Sequence, residues 1–439
     1  MPWHIQLSHE EDIITLNYPS HPDERVGTPP LNPHSGILVL AVCVLLLVPG
    51  AAAVTMVLND GPASLSLAAT PDGSLAVAVI AASQPSGYSA TLSARDMGAV
   101  AAGQESTVTG AREILAVTAA FNPQGESAVT QARVGHGNLT TTQLAATGPG
   151  VWASQSTRAT GAYLATTSTA TDTRGHTASQ GLVVRGDSFF DDSLGDGTIE
   201  VDQYAGTGQS AVAMQQGTGE GLAVETRGLA MHPSADPGAP GTTSSTHGLV
   251  QIGSMTFENH ALAASSIPGV SQSVTITGVN GSAEAAGRDG AHYATVLSNF
   301  TQEGSLTMDQ VADTRASAYA YQNGIITTSG DAMSYMDAGS DLGWVRRQMV
   351  VTSWLECPTP APEYGAVMVT ESTAFSSDDF TSADHTVTGE GGSLGSSIYI
   401  TRNIHMPLYF SFSGYGFERI DVNMTVWNDH QSGTFTVTP

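Results

Sequence analysis

Lysine is absent from this 439-residue chain: all 14 basic residues are arginines, set against 40 acidic ones, for a formal net charge of −26. Scattered cations of that number cannot form the basic stripe that nucleic-acid binding needs, so polyanions are excluded as partners. Cysteine is scarce as well. Cys43 lies in an apolar run and Cys357 stands alone beyond it, which excludes an intrachain disulfide in the body and any cysteine-pair zinc site. Aromatics make up 6% of the chain and charged residues 12%, the latter about half the usual share of roughly 25%. Histidines never fall in close pairs and glycines fall at turns, so neither a histidine metal motif nor a phosphate-binding loop is present.

What fills the chain instead is Ala, Gly, Ser and Thr, about 45% of positions. The acids are spread singly and hydrophobic residues reach 41%, so the composition describes an ordered chain with an anionic surface, not a disordered tail.

One long apolar run occurs, Ile37 to Val48, followed by Pro49-Gly50-Ala51-Ala52-Ala53. It matches the core and small-residue cleavage site of a secretory signal, with cleavage after Ala53. Extended to Leu58 the run is 22 residues, long enough for an uncleaved membrane anchor over 37–58. A buried helix and a lipid-modified Cys43 are the lesser alternatives. The first 36 residues carry Glu10, Glu11, Asp12, Asp23 and Glu24 against Arg25 alone, the reverse of a basic leader. They are expected to be poorly structured, or an over-extended gene start. Either main reading puts the body outside the cell, at its surface or anchored to its membrane.

From about residue 59 the apolar residues recur with period two, the mark of strands with one face inward. Val274 and Ile276 share a face, as do Tyr319 and Tyr321, and as do Ile420, Val422, Met424 and Val426. Ala111 to Ala120 could form a short helix or, from its Thr and Val, a strand. Asp72-Gly73, Asp196-Gly197, Asn280-Gly281, Asp289-Gly290 and Asn323-Gly324 read as tight hairpin turns, so Ser271 to Leu297 should hold three strands. A weak repeat aligns 126–150 with 151–175, and Ala178-Ser179-Gln180 repeats Ala153-Ser154-Gln155. A unit of this length suits one hairpin or one solenoid coil. The expectation is an all-β chain: an extended antiparallel meander or β-solenoid-like array of hairpins over 59–340, interrupted by a loop at His232 to Thr246. A more aromatic C-terminal β unit follows over 341–439, holding Trp344, Trp354, Tyr409, Phe410, Phe412, Tyr415, Phe417 and Trp427. Small side chains let two sheet faces approach closely, while threonine keeps strand propensity on a wet face.

Chemistry-bearing groups are few. Asp187, Asp191, Asp192, Asp196 and Glu200, with Asp202 following, offer oxygens for calcium; Leu194 and Gln203 break the helix-loop-helix calcium pattern, leaving a looser site or a solvated acidic hairpin. Asn138, Asn280, Asn299 and Asn423 are glycosylation sequons. Gly186-Asp187-Ser188 and the later Asp289-Gly290-Ala291-His292 resemble blocks of GDSL-type serine hydrolases. That resemblance implies Ser188 as nucleophile and His292 as base, but on a fold alternating strands with helices, and the family's Gly-x-Asn-Asp block is missing.

As a whole the composition resembles the low-lysine, Thr/Ala/Gly-rich surface, adhesin-like or sheath proteins of prokaryotic envelopes, those of archaea in particular. The resemblance implies an exported structural or adhesive protein, acidic and without catalysis, and carries no residue assignments. It would associate with itself, with other envelope proteins or with glycans, with no cofactor apart from calcium. The alternative is an extracellular carbohydrate-binding or carbohydrate-cleaving β scaffold, with the GDSL-like hydrolase third.

Overall fold

The computed structural model describes residues 4–8, 13–17 and 54–438, apart from 61, 71, 97–99, 149, 187–196, 208–210, 235–240, 264–267, 291, 314–317, 341–342, 353–365, 377–379, 391–392, 403–407, 415–418 and 428–429. Both cysteines and residues 37–53 therefore lie outside the described residues, as do the side chains of the C-terminal aromatics named above. Among the described residues there is no helix. The strands in order are β1 (His4–Ser8), β2 (Ile13–Asn17), β3 (Val54–Asp60), β4 (Ala63–Ala69), β5 (Leu75–Ser83), β6 (Gly87–Asp96), β7 (Val100–Phe121) and β8 (Ser127–Ala146). Next come β9 (Trp152–Thr171), β10 (Thr177–Arg185), β11 (Gly197–Gly206), β12 (Ala211–His232), β13 (Thr242–Ala263), β14 (Pro268–Asp289), β15 (His292–Asp313) and β16 (Ala318–Thr328). The last are β17 (Ala332–Gly339), β18 (Gly343–Thr352), β19 (Ala366–Ser376), β20 (Phe380–Glu390), β21 (Ser393–Arg402), β22 (Leu408–Gly414), β23 (Arg419–Trp427) and β24 (His430–Thr438). The chain is an antiparallel meander, with β2–β3 its one parallel pair among the described residues. Val54 to Leu58, the tail of the apolar run, belongs to β3.

The long strands fold back on themselves. β9 has 20 residues, and two of its residues twelve apart would be about 40 Å apart in a straight strand. Yet Gln155 Nε2 donates to the carbonyl of Thr167 at 3.3 Å. Within β13, Ser244 Oγ reaches the carbonyl of Leu262 at 3.0 Å. Each of these strands is thus an arch whose two arms face one another through side chains. Three short pairs, β5 with β6, β10 with β11 and β16 with β17, lie end to end and each stands in for one arch.

Stacking the arches gives two layers. Layer A takes β6, one arm each of β7, β8 and β9, then β11, one arm each of β12 to β15, β16, β19, β20, β23 and β24. Layer B takes β3, β4, β5, the other arms, β10, β17, β18, β21 and β22. Residues 341–439 continue both layers. The two 25-residue segments of the weak repeat hold one arch each, β8 and β9.

Bends need backbone that an ordinary strand lacks. Gln84, Gly110, His136, Ile252, Asn280 and Gln302 adopt left-handed φ values of 51°, 59°, 51°, 41°, 52° and 64°, each at the apex of an arch. Asn280-Gly281 is therefore an apex inside β14, where the pairing with β15 shifts register, and not a hairpin turn. Ser271 to Leu297 holds parts of two strands instead of three. Asn323-Gly324 likewise sits within β16. Sequence reasoning erred at Asn280 because a left-handed residue fits an arch bend as well as a hairpin, and at Asn323-Gly324 because neither residue is left-handed and the strand runs straight through them. Asp72-Gly73 and Asp289-Gly290 do close hairpins, and Asp196 is outside the described residues. The connection after β12 is shorter than expected, since Thr242 to Thr246 is already strand. Ala111 to Ala120 is strand as well.

The interior is built in rows running across the strands. Nearest the apices are large groups, among them Ile114, Leu139, Leu164, Ile199, Met255, Ile276, Phe300 and Leu306. Farthest away each layer carries a row of alanines in register. In layer B, Ala76, Ala120, Ala128, Ala170, Ala178 and Ala230 are all fully buried. Between these lies a polar row. Gln104, Gln143, Gln155, Gln203, Gln215, Asn259, Gln272, Gln310 and Gln322 stand opposite one another on nine consecutive strands of layer A, all buried. Buried amides hold their place only when bonded. Several of these cross the core to do so: Gln215 Nε2 to the carbonyl of Gly181 at 3.3 Å, Gln272 Nε2 to that of His247 at 3.2 Å and Gln310 Nε2 to that of Ala283 at 3.3 Å.

Candidate functional site

The outer face of layer A carries side chains at the positions between the buried ones. On β11 to β14 they enclose a shallow groove of about 460 Å³, with a second hollow of about 260 Å³ adjoining it. Register fixes its floor plan. Asp202, Gln216, Glu258 and Ser273 form one row across the four strands, and Glu200, Thr218, Thr256 and Thr275 form the next. Tyr204, Met214 and His260 make a third, more apolar row on β11 to β13. Asp202 and Glu258 are two strands apart, about 9.5 Å between strand axes.

Electrostatically the groove is acidic. Arg158 on β9 binds Glu200 at 3.0 Å, and both side chains are largely exposed, so that ion pair adds little stability. Burial holds the imidazole of His260 below its ordinary pKa, and the neighbouring Glu258 carboxylate opposes the shift. Hydroxyls, carboxylates and one phenol on a flat strand face can accept and donate hydrogen bonds to a polyhydroxyl ligand.

Most of the sequence-derived metal and catalytic site residues lie outside the described residues. Asp187, Asp191, Asp192 and Asp196 lie outside the described residues. Glu200 faces outward on β11 and is held by Arg158, and no group of three metal-ligating side chains occurs among the described residues. Ser188 is also outside them, but its neighbour Gly186 is placed at an apex, donating to the carbonyl of Ala162 at 2.9 Å. His292 opens β15 at the opposite end of the arms, next to Asp289. One arm of β10, nine residues or about 30 Å, separates the levels of Gly186 and His292.

The sequons differ in setting. Asn138 and Asn280 bind neighbouring arches at the apices. Asn138 accepts from Gly110 N at 2.8 Å and donates to Thr160 Oγ1 at 3.0 Å. Asn280 accepts from Gln302 N at 2.9 Å and donates to Gln251 Oε1 at 3.1 Å. Asn299 lies on β15 at half-buried exposure, and Asn423 is on β23.

Sequence reasoning missed the groove, because Tyr204, Met214 and Glu258 are distant in sequence and meet only through register. It also missed the glutamine row, although the signal was there: on eight of the nine strands the amide stands two residues from a buried alanine.

No helix among the described residues is long and apolar enough to cross a membrane. Comparison of the chain with protein-family models, with curated proteins and with solved structures finds no match.

Proposed function

We propose that this chain is an exported, non-catalytic structural or adhesive component of a cell envelope, associating through its strand edges and outer faces. The observation that carries the reading is the constancy of the cross-section. A buried amide stands at the same depth on nine consecutive strands of layer A, with a buried alanine beyond it on eight of them and Val270 on the ninth, which is how a chain builds length and stiffness. Strand edges support the association. β6 and β24, the two ends of layer A, each have one pairing partner among the described residues, and an unpaired edge is a template for another strand. The excess of carboxylates without lysine suits contact with glycans or cation-bridged neighbours better than contact with polyanions.

Fractionation of native cells, followed by sedimentation of the purified chain, tests this. Recovery in an insoluble envelope layer and concentration-dependent association are expected. Recovery as a soluble monomer at all concentrations overturns it.

The groove beside Tyr204 favours a second reading, a carbohydrate-binding surface. Glycan-array binding lost in Tyr204→Ala would support it, and binding unchanged by that substitution would remove the groove as its site.

A further inference from the structure

A ladder of side-chain amides is complete when each rung donates to one neighbour and accepts from the other. From Gln104 to Gln203 it is complete. Gln104 Nε2 donates to Gln143 Oε1 at 2.6 Å, Gln143 Nε2 to Gln155 Oε1 at 3.1 Å, and Gln155 Nε2 to Gln203 Oε1. At the next rung Gln203 Nε2 and an oxygen of the facing residue, Gln215 Oε1, are both buried without a partner.

Asn259 breaks the pattern. It is one methylene shorter than its neighbours, 1% exposed, and neither Nδ2 nor Oδ1 has a partner. What lies beneath it follows from the flanking rungs. Gln215 is tied to β10 through Gly181 and Gln272 to β13 through His247, so Asn259 stands over the layer B arm of β12 between them. The inward position there is Gly228, which contributes no side chain. Its partners in register, Gln180 and Thr246, lean over it. A Cβ at Gly228 would meet Gln180 Oε1 at 2.9 Å, Gln180 Nε2 at 3.0 Å and Thr246 Oγ1 at 2.5 Å. Gln180 Nε2, Gln180 Oε1 and Thr246 Oγ1 are again buried and without a partner.

We propose that this break is a hydration site, in which ordered water is held by the amides of Asn259 and Gln180 and the hydroxyl of Thr246. Five buried polar atoms supply more than the two to four partners that an internal water takes, and Asn259 is one methylene shorter than the glutamines opposite it on both flanking strands. Direct bonding between the groups is opposed by the short reach of Asn259. An apolar lining would keep such a gap dry, but this one is polar on both layers.

Oxygen-17 magnetic relaxation dispersion on the full chain counts long-lived internal waters. The expected result is a dispersion amplitude that falls by at least one water in Asn259→Gln, whose longer side chain closes the ladder. Thr246→Val, nearly isosteric, should also lower the amplitude by removing one ligand, and covers the case in which Asn259→Gln fails to fold. Equal amplitudes in wild type and the folded variants would overturn the proposal. So would a high-resolution map in which the Gln180 amide bonds directly to Asn259 with no water between them.

Discussion

Replacing Ala170 by leucine tests whether the alanine rows set the separation of the two layers. Ala170 is fully exposed to neither solvent nor gap: its relative exposure is 0%, as are those of Ala128 and Ala178 on the two flanking strands. Leucine adds three carbon atoms where the facing layer meets only small side chains, and overpacking of a closed core costs about 1–3 kcal/mol. An array of arches has no single unfolding transition to report this, because each arch is coupled mainly to its neighbours. Amide hydrogen exchange reads it locally. At 1.36 kcal/mol per decade, the amides of β8, β9 and β10 should exchange about 5- to 160-fold faster, with β14 and β15 unchanged. Adding Ala178→Leu should cost less than the first substitution, since the layers are already parted there. Thr167→Leu on the exposed face of β9 should change exchange by less than about threefold, within the ~0.5 kcal/mol typical of surface sites. Unchanged exchange in Ala170→Leu would show that the layers are not held at contact distance by these alanines.

Ile252 combines a branched side chain with a φ of 41° and 54% exposure, so Ile252→Asn should raise stability by about 1 kcal/mol, read as slower exchange near the β13 apex. Gln155→Glu places an ionisable group in the amide row, where burial raises its folded pKa. The variant should match wild type below about pH 4 and lose stability as pH rises above that unfolded value, and no pH dependence would place the side chain in water. The His260 imidazole is held below its usual pKa by burial, so its contribution is full above about pH 6.5 and is lost as pH falls through the lower folded value; NMR titration of its ring resonances checks the direction. The Tyr335 hydroxyl donates to Asp337 Oδ2 at 2.9 Å, and burial with that carboxylate pushes the phenol up to about 12. Its ultraviolet ionisation should come later than that of exposed tyrosines, the difference vanishing in Tyr335→Phe, and the folded state should lose stability from about pH 10 upward as the unfolded phenol ionises first.

Much of the fold was legible in period-two patterning, since Val274 and Ile276 do point inward and the strand class follows from that alone. The arch was not. A bend in mid-strand and a turn between strands both use a left-handed residue in an Asx-Gly pair, and only pairing partners distinguish Asn280-Gly281 from Asp289-Gly290. The rows were legible in principle. Ala102-Gly103-Gln104 is followed on the next strand by Gln143-Leu144-Ala145, then Ala153-Ser154-Gln155, Gln203-Tyr204-Ala205 and Ala213-Met214-Gln215, the order reversing with each change of strand direction. The repeated Ala178-Ser179-Gln180 was visible as a sequence echo. Its meaning, an alanine and an amide at matching depth in the facing layer, needed the pairing of β9 with β10. The groove was not legible, because its lining is set by register across four strands and not by any local spacing.

The junction of β10 and β11 has a practical use. Gly186 at the end of β10 and Gly197 at the start of β11 lie backbone against backbone, so the two strand ends meet whatever the length of chain encoded between them. Closing a longer segment there adds only about 0.6 kcal/mol for each doubling of its length. That makes the spot a ready-made port for grafting foreign peptides.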